Sequence, residues 1–140
     1  LPLLSDLART AKDVPVWLCH GADARGDLLT AWQGIGARLL TVPLAGGRLD
    51  AAALLKTLGQ EGLTRVFCEG GGQLAASLLA QDLVDELHVF TAGLALGAEG
   101  HPGIGALGVD RLREAPRFTL VDVCQRGGDV QHVWRRGSAT

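Results

Sequence analysis

The sequence predicts an α/β fold: a mixed, mostly parallel sheet with helices on both faces, closed by a C-terminal antiparallel hairpin. Three observations carry this. Short apolar runs alternate with helical periodicity through the first two-thirds of the 140 residues, and such alternation demands crossover connections and parallel strands. Two of these runs, Val16–Cys19 and Val66–Cys68, are continuously apolar, as strands covered on both faces are. The last stretch, Arg117 to Cys124 and Val130 to Arg135, reads as two strands around a Gly127-Gly128-Asp129 turn.

Each element follows from its own residues. Leu3, Leu4, Leu7, Ala8 and Ala11 share one face of a helix over Leu3 to Lys12, which Asp13 and Pro15 stop. Val16-Trp17-Leu18-Cys19 is the first strand, and His20-Gly21-Ala22-Asp23 the loop after it. A short helix over Asp27 to Gly36 precedes a second strand, Arg38 to Val42, closed by Pro43. Gly46-Gly47 turns the chain. Asp50 is the expected N-cap of a helix from Ala51 to Glu61, whose apolar stripe is Ala51, Leu54, Leu55 and Leu58 and whose stop is Gly62. Thr64 to Cys68 is the third strand, Gln73 to Gln81 the next helix, and Glu86 to Ala92 the fourth strand. Gly93 to Gly108 is glycine-rich and irregular, and Val109 to Glu114 a single helical turn.

Composition excludes several function classes. Hydrophobic residues make up 47 % and charged residues 20 %, which sets the chain apart from disordered tails. The net charge of -2 and the lack of a Lys/Arg run argue against nucleic-acid and anionic-membrane partners. No apolar stretch is long enough to span a bilayer, and Leu1 to Asp6 lacks the basic start of a signal peptide. Cys19, Cys68 and Cys124 are odd in number and widely spaced, as free thiols in a reducing compartment are, so the expected location is cytoplasmic. No Cys-x-x-Cys or Cys/His pair stands at ligand spacing, so no metal is expected. The sequence holds no Met, so Leu1 is not an initiator and the chain is expected to be processed or cut from a longer one.

The most informative segment is Val66-Phe67-Cys68-Glu69-Gly70-Gly71-Gly72-Gln73-Leu74-Ala75-Ala76-Ser77, read as strand, glycine bend and helix. A helix start presents unpaired N–H groups and the positive end of its dipole. Glycines let backbone come close to a phosphate. Ligands of open α/β sheets gather at the carboxyl ends of strands. The alternative is a tight turn and nothing more. Neither the dinucleotide fingerprint Gly-x-Gly-x-x-Gly nor a P-loop is present. Glu69 has two readings, a carboxylate bonded to the turn or an acceptor for substrate hydroxyl or N–H groups.

Val66 to Leu79 followed by Leu83-Val84-Asp85-Glu86-Leu87 resembles the reductase domain of the bacterial riboflavin-biosynthesis deaminase/reductase. Pro15-Val16-Trp17, Leu49-Asp50, Ala115-Pro116-Arg117-Phe118 and Gly128-Asp129-Val130 extend the likeness over essentially the whole chain. The resemblance implies a dihydrofolate-reductase-like fold. It also implies NADPH-dependent reduction of the ribosyl group of 5-amino-6-(5-phosphoribosylamino)uracil to the ribitylamino product, in a homodimer. By position it assigns Glu69 to substrate, and Gly70, Gly71, Gly72, Gln73, Leu74, Ala75, Ala76 and Ser77 to NADPH.

The departures matter equally. The family's opening strand and its Ser-Leu-Asp-Gly stretch have no counterpart here, nor do the zinc-binding motifs of a deaminase. The residues 1–140 are therefore expected to form the C-terminal portion of a single reductase domain. Its catalytic residues would lie upstream, and the isolated chain would be inactive. The loop that usually reads Ala-Pro-x-Leu-Leu-Gly-Gly is here Ala92-Gly93-Leu94-Ala95-Leu96-Gly97-Ala98, without its proline. Two alternatives stay open: another dihydrofolate-reductase-like NADPH reductase of a pyrimidine or pteridine, and a non-catalytic nucleotide-binding or dimerisation module.

Other residues are placed by pattern. Leu83, Val84 and Leu87 are expected in the core, and His88 on a polar face. His20 and Arg25 are read as a solvated loop, with the adenosine 2′-phosphate as the alternative partner. Trp134 is read as a subunit contact or as plain core.

Overall fold

The computed structural model describes residues 2–137. Two compact units make up the chain, Leu1–Val66 and Phe67–Thr140.

In the first unit, helix α1 (Asp6–Thr10) starts at Ser5, whose hydroxyl accepts the Ala8 N–H at 3.4 Å. The start is later than Leu3 because Ser5 holds extended backbone, φ -72° and ψ 158°, so Leu3 and Leu4 precede the helix and Leu4 is exposed. Strand β1 (Trp17–His20) pairs in parallel with β2 (Arg38–Thr41), in register from Trp17 with Arg38 to His20 with Thr41. Helix α2 (Gly26–Gly34) lies between them in the chain. Among the described residues β1 is flanked on one edge only, and its four residues are half-buried rather than enclosed.

The core of this unit gathers Ala8, Ala11, Val16, Trp32 and Ala37, with Leu18, Ile35 and Leu39 packed against them. A two-residue hairpin follows, β3 (Leu44–Ala45) with β4 (Arg48–Leu49). Gly46 and Gly47 turn it with φ of 58° and 76°, the pair of positive values that a type I′ turn requires. Helix α3 (Ala51–Gln60) then starts at Asp50 as expected.

Thr64 to Cys68 does not form the expected strand. Residues 63–71 carry neither helix nor ladder, and Val66 and Phe67 are 49 % and 75 % exposed. Local propensity favours a strand here, but a strand exists only where another supplies partners for its N–H and C=O groups. No strand among the described residues pairs with this segment. The mostly parallel character goes with it: β1–β2 is parallel, and the other strand pairs among the described residues are antiparallel. The mixed α/β class stands.

The second unit holds helix α4 (Gly72–Ala80), with Ala76, Leu78 and Leu79 buried. Strands β5 (Glu86–Thr91), β6 (Phe118–Arg126) and β7 (Asp129–Arg136) form an antiparallel sheet in the order β5-β7-β6. The β6–β7 turn uses Gly127 at φ 63°, as the glycine pair there predicts. One register shift falls between Leu120 and Asp122. Central β7 aligns Trp134 with Leu87 on one side and Leu120 on the other, a row of apolar cross-strand neighbours. Leu83, Val84 and Leu87 are half-buried rather than fully enclosed.

Arg136 ties the end of β7 to the connection before β5. Its Nε–H donates to the Val84 carbonyl at 2.8 Å, and its guanidinium meets Asp82 at 3.1 Å and Asp85 at 3.2 Å. The segment between β5 and β6 is irregular, broken by single 3-10 turns at Gly97–Glu99 and Leu112–Glu114.

Candidate functional site

The glycine bend at the head of α4 lies wholly within the second unit. Gly71 is the N-cap, with φ -63° and ψ 170° and no side-chain cap. Its carbonyl accepts the Leu74 and Ala75 N–H groups at 3.0 and 3.2 Å. Those are the first intrahelical bonds of α4. Among the described residues no hydrogen bond engages the N–H groups of Gly70, Gly71, Gly72 or Gln73. Four donors thus stand together at the positive end of a nine-residue helix.

The bend is open. Gly70 and Gly71 are exposed and Gly72 is half-buried. A Cβ added at Gly71 would meet nothing within 4 Å. At Gly70 an added Cβ would run into the Leu74 side chain, with Cδ2 at 2.5 Å. No capping side chain competes for the amides, so an external acceptor can take them. That is the donor set a phosphate oxygen needs.

The rest of the predicted segment divides by environment. Gln73 and Leu74 are exposed, Ala75 and Ser77 half-buried, and Ala76 6 % exposed. The structure thus brings Gly70 to Gln73 together as free donors, whereas Leu74 and Ala75 spend theirs inside the helix. Glu69 is exposed, and among the described residues its carboxylate makes no hydrogen bond or ion pair. The carboxylate bonded to the turn is therefore not seen. An exposed, unengaged acceptor stands one residue before the bend.

Sequence reasoning missed one contributor. The backbone of Pro102 to Gly105 lies against Gly72, and the Gly105 N–H donates to the Gly72 carbonyl at 2.8 Å. The only signal for it was the glycine density of the irregular segment 93–108.

His20 and Arg25 lie apart from the bend in sequence, in the first unit. They line a shallow cavity of about 140 Å³ with Leu18, Cys19, Leu28 and Trp32. His20 Nδ1 is 2.9 Å from the Gly21 carbonyl. The Arg25 guanidinium grips Asp27 with two bonds and holds that carboxyl below its usual range. Burial raises the Cys19 thiol above its ordinary value. His88 sits 3.1 Å from Gln131 Nε2 and 3.6 Å from Glu86, with Phe67 edge-on to its ring, the polar setting expected for it. Among the described residues no three His, Cys, Asp or Glu side chains come together as a metal site. No helix among them is long and apolar enough to cross a membrane.

Comparison with known proteins places the chain in a family. Residues 8–132 match the family described as the RibD C-terminal domain. The riboflavin biosynthesis protein RibD of Escherichia coli is 34 % identical over 93 residues, covering 66 % of this chain and 25 % of that protein. The 5-amino-6-(5-phosphoribosylamino)uracil reductase of Buchnera aphidicola is 31 % identical over 86 residues, covering 61 % of this chain and 42 % of that protein. The chain therefore spans between a quarter and somewhat over two-fifths of these relatives. Among solved structures, RibD of Acinetobacter baumannii superposes with a TM-score of 0.77 at 22 % identity, over 98 % of this chain and 35 % of that one. A pyrimidine reductase-like protein of Corynebacterium diphtheriae gives 0.74 at 16 % identity, over 99 % of this chain and 58 % of that one. These two likenesses concern the fold.

Proposed function

The chain belongs to the RibD C-terminal domain family, and on that premise we propose that it forms part of a reductase domain of riboflavin biosynthesis. The reaction is NADPH-dependent reduction of 5-amino-6-(5-phosphoribosylamino)uracil to its ribitylamino product. Relatives named for riboflavin biosynthesis and for this uracil reductase support the reading. The structural observation that carries it is the uncapped bend: four amides, Gly70 to Gln73, at the head of α4 that no hydrogen bond among the described residues engages.

When bound, the reduced nicotinamide supplies the hydride. The chain's own part is to hold and orient. The amides of Gly70 to Gln73 take the cofactor's diphosphate. Ala76 and Leu79, both buried, anchor the helix that presents those amides. Glu69 accepts hydrogen bonds from substrate N–H or hydroxyl groups beside the cofactor. Residues 1–140 act as the C-terminal portion of one reductase domain, in a homodimer with Trp134 at the subunit contact, and the protein works in the cytoplasm.

The test is fluorescence titration of the full-length protein with NADPH and NADH, paired with NADPH oxidation on the phosphoribosylaminouracil. Saturable NADPH binding and substrate-dependent oxidation are the expected results. Binding of neither dinucleotide overturns the reading and favours a non-catalytic module.

A further inference from the structure

We infer that the Pro102–Gly105 backbone is a strap that aims the Gln73 amide, with Gly72 and Gly105 as positioning residues. This rests on the reading of the bend as a cofactor-phosphate site. The Gly72 carbonyl accepts the Gly105 N–H at 2.8 Å. That carbonyl shares one planar trans peptide with the Gln73 N–H, so fixing the oxygen fixes the direction in which the Gln73 N–H points. A carbonyl that accepts a hydrogen bond also polarises the N–H of its own peptide, which strengthens it as a donor. Gln73 N–H is one of the four donors of the bend that no hydrogen bond among the described residues engages.

The strap fits only because both sides lack side chains. A Cβ added at Gly72 would lie 2.7 Å from the Pro102 carbonyl oxygen, 3.2 Å from that of Gly103 and 3.2 Å from the Gly105 nitrogen. A Cβ added at Gly105 would lie 3.2 Å from the Gly72 oxygen and 3.5 Å from the Gln73 Cα. Neither glycine has positive φ, so the demand is for space and not for an unusual backbone conformation. The neighbouring Gly71 is different, with open space around an added Cβ. The three glycines of the bend thus divide their work: Gly71 leaves the cap position empty, and Gly72 makes room for the strap.

The experiment uses the full-length protein and compares Gly72→Ala and Gly105→Ala with Gly93→Ala, whose added Cβ meets nothing within 4 Å. Titration with NADPH is run well below each variant's melting temperature. Loss of one aimed donor predicts about tenfold weaker binding in Gly72→Ala and about threefold in Gly105→Ala, where the clash is milder, with Gly93→Ala unchanged. KM for NADPH should rise while kcat holds, a split that general loosening of the fold would not produce. Amide hydrogen exchange should show Gly105 protected in the wild type and unprotected in Gly72→Ala. If Gly72→Ala does not fold, Gly105→Ala decides. Wild-type affinity in folded variants that have lost Gly105 protection overturns the strap alone. A wild type that binds no dinucleotide overturns the phosphate reading and the strap with it.

Discussion

Asp50 closes the start of α3 by accepting the Ala53 N–H at 2.7 Å, and Gly71 at the equivalent position of α4 has no side chain to do the same. A capped helix start is self-satisfied, and an uncapped one keeps its donors for an external acceptor. The second unit therefore carries a helix whose local stability has been left incomplete at the end where a ligand is proposed.

Gly71→Ser separates the two uses of that position. The backbone there is ordinary extended chain with open space around an added Cβ, so the substitution introduces no strain. A serine hydroxyl would accept the Gln73 N–H and raise stability by about a few tenths of a kcal/mol. It would compete for the same donors, and NADPH affinity should fall by about five- to tenfold. Thermal melts and fluorescence titration read the two effects in opposite directions. Asp50→Ala should do the reverse, lowering stability by about 1 kcal/mol with affinity unchanged.

Glu69→Gln tests the acceptor before the bend. The side chain is exposed and engages nothing among the described residues, so folding stability should not change. A charge-assisted bond to substrate is worth about 1.5–3 kcal/mol, so kcat/KM for the pyrimidine should fall by about one to two orders of magnitude. NADPH affinity should hold or rise slightly, because a negative charge near the diphosphate is removed. Unaltered kcat/KM would remove Glu69 from the substrate site.

Trp32→Ala should be the most damaging single change in the first unit. The ring is 2 % exposed and packs with Ala8, Ala11, Val16 and Ala37. Small neighbours cannot close the space it leaves, so the cost is about 3–5 kcal/mol. Leu4→Ala, at a side chain 92 % exposed, should leave the denaturation midpoint where it is.

Cys19 supplies a pH dependence. Burial raises its thiol above the ordinary value, so between the unfolded and folded values the folded chain holds more protons than the unfolded one. Its contribution is complete below the unfolded value and is lost as pH rises through the folded one. Urea denaturation across the alkaline range should show stability falling with pH, and Cys19→Ala should flatten that slope. Exposed Cys68 should react with a thiol reagent ahead of Cys19.

Much of this fold was legible from local rules. Asp50, Gly62 and the Gly127-Gly128 pair mark boundaries that depend on a few adjacent residues, and α3 and the β6–β7 hairpin lie within a residue or two of their expected spans. The glycine bend was legible for the same reason: a helix start without a capping side chain can be read from a handful of letters. Thr64 to Cys68 was not, because a ladder is a property of two segments and the pattern of one cannot report the other. The Pro102–Gly105 strap was hidden likewise, since a hydrogen bond joining residues 72 and 105 leaves no periodicity.

The sequence by itself determined where helices begin, where turns need glycine, which face of each helix is apolar, and which family the bend resembles. These are short-range consequences of side-chain shape and backbone freedom. Tertiary structure alone decided that Val66 and Phe67 find no ladder partners among the described residues, that Trp32 rather than the Leu3–Leu4 pair anchors the first unit's core, and that the Gly72 carbonyl is tethered to the Gly105 amide. The physical reason is that pairing, burial and close backbone approach each need a partner far along the chain, and only the folded molecule chooses it.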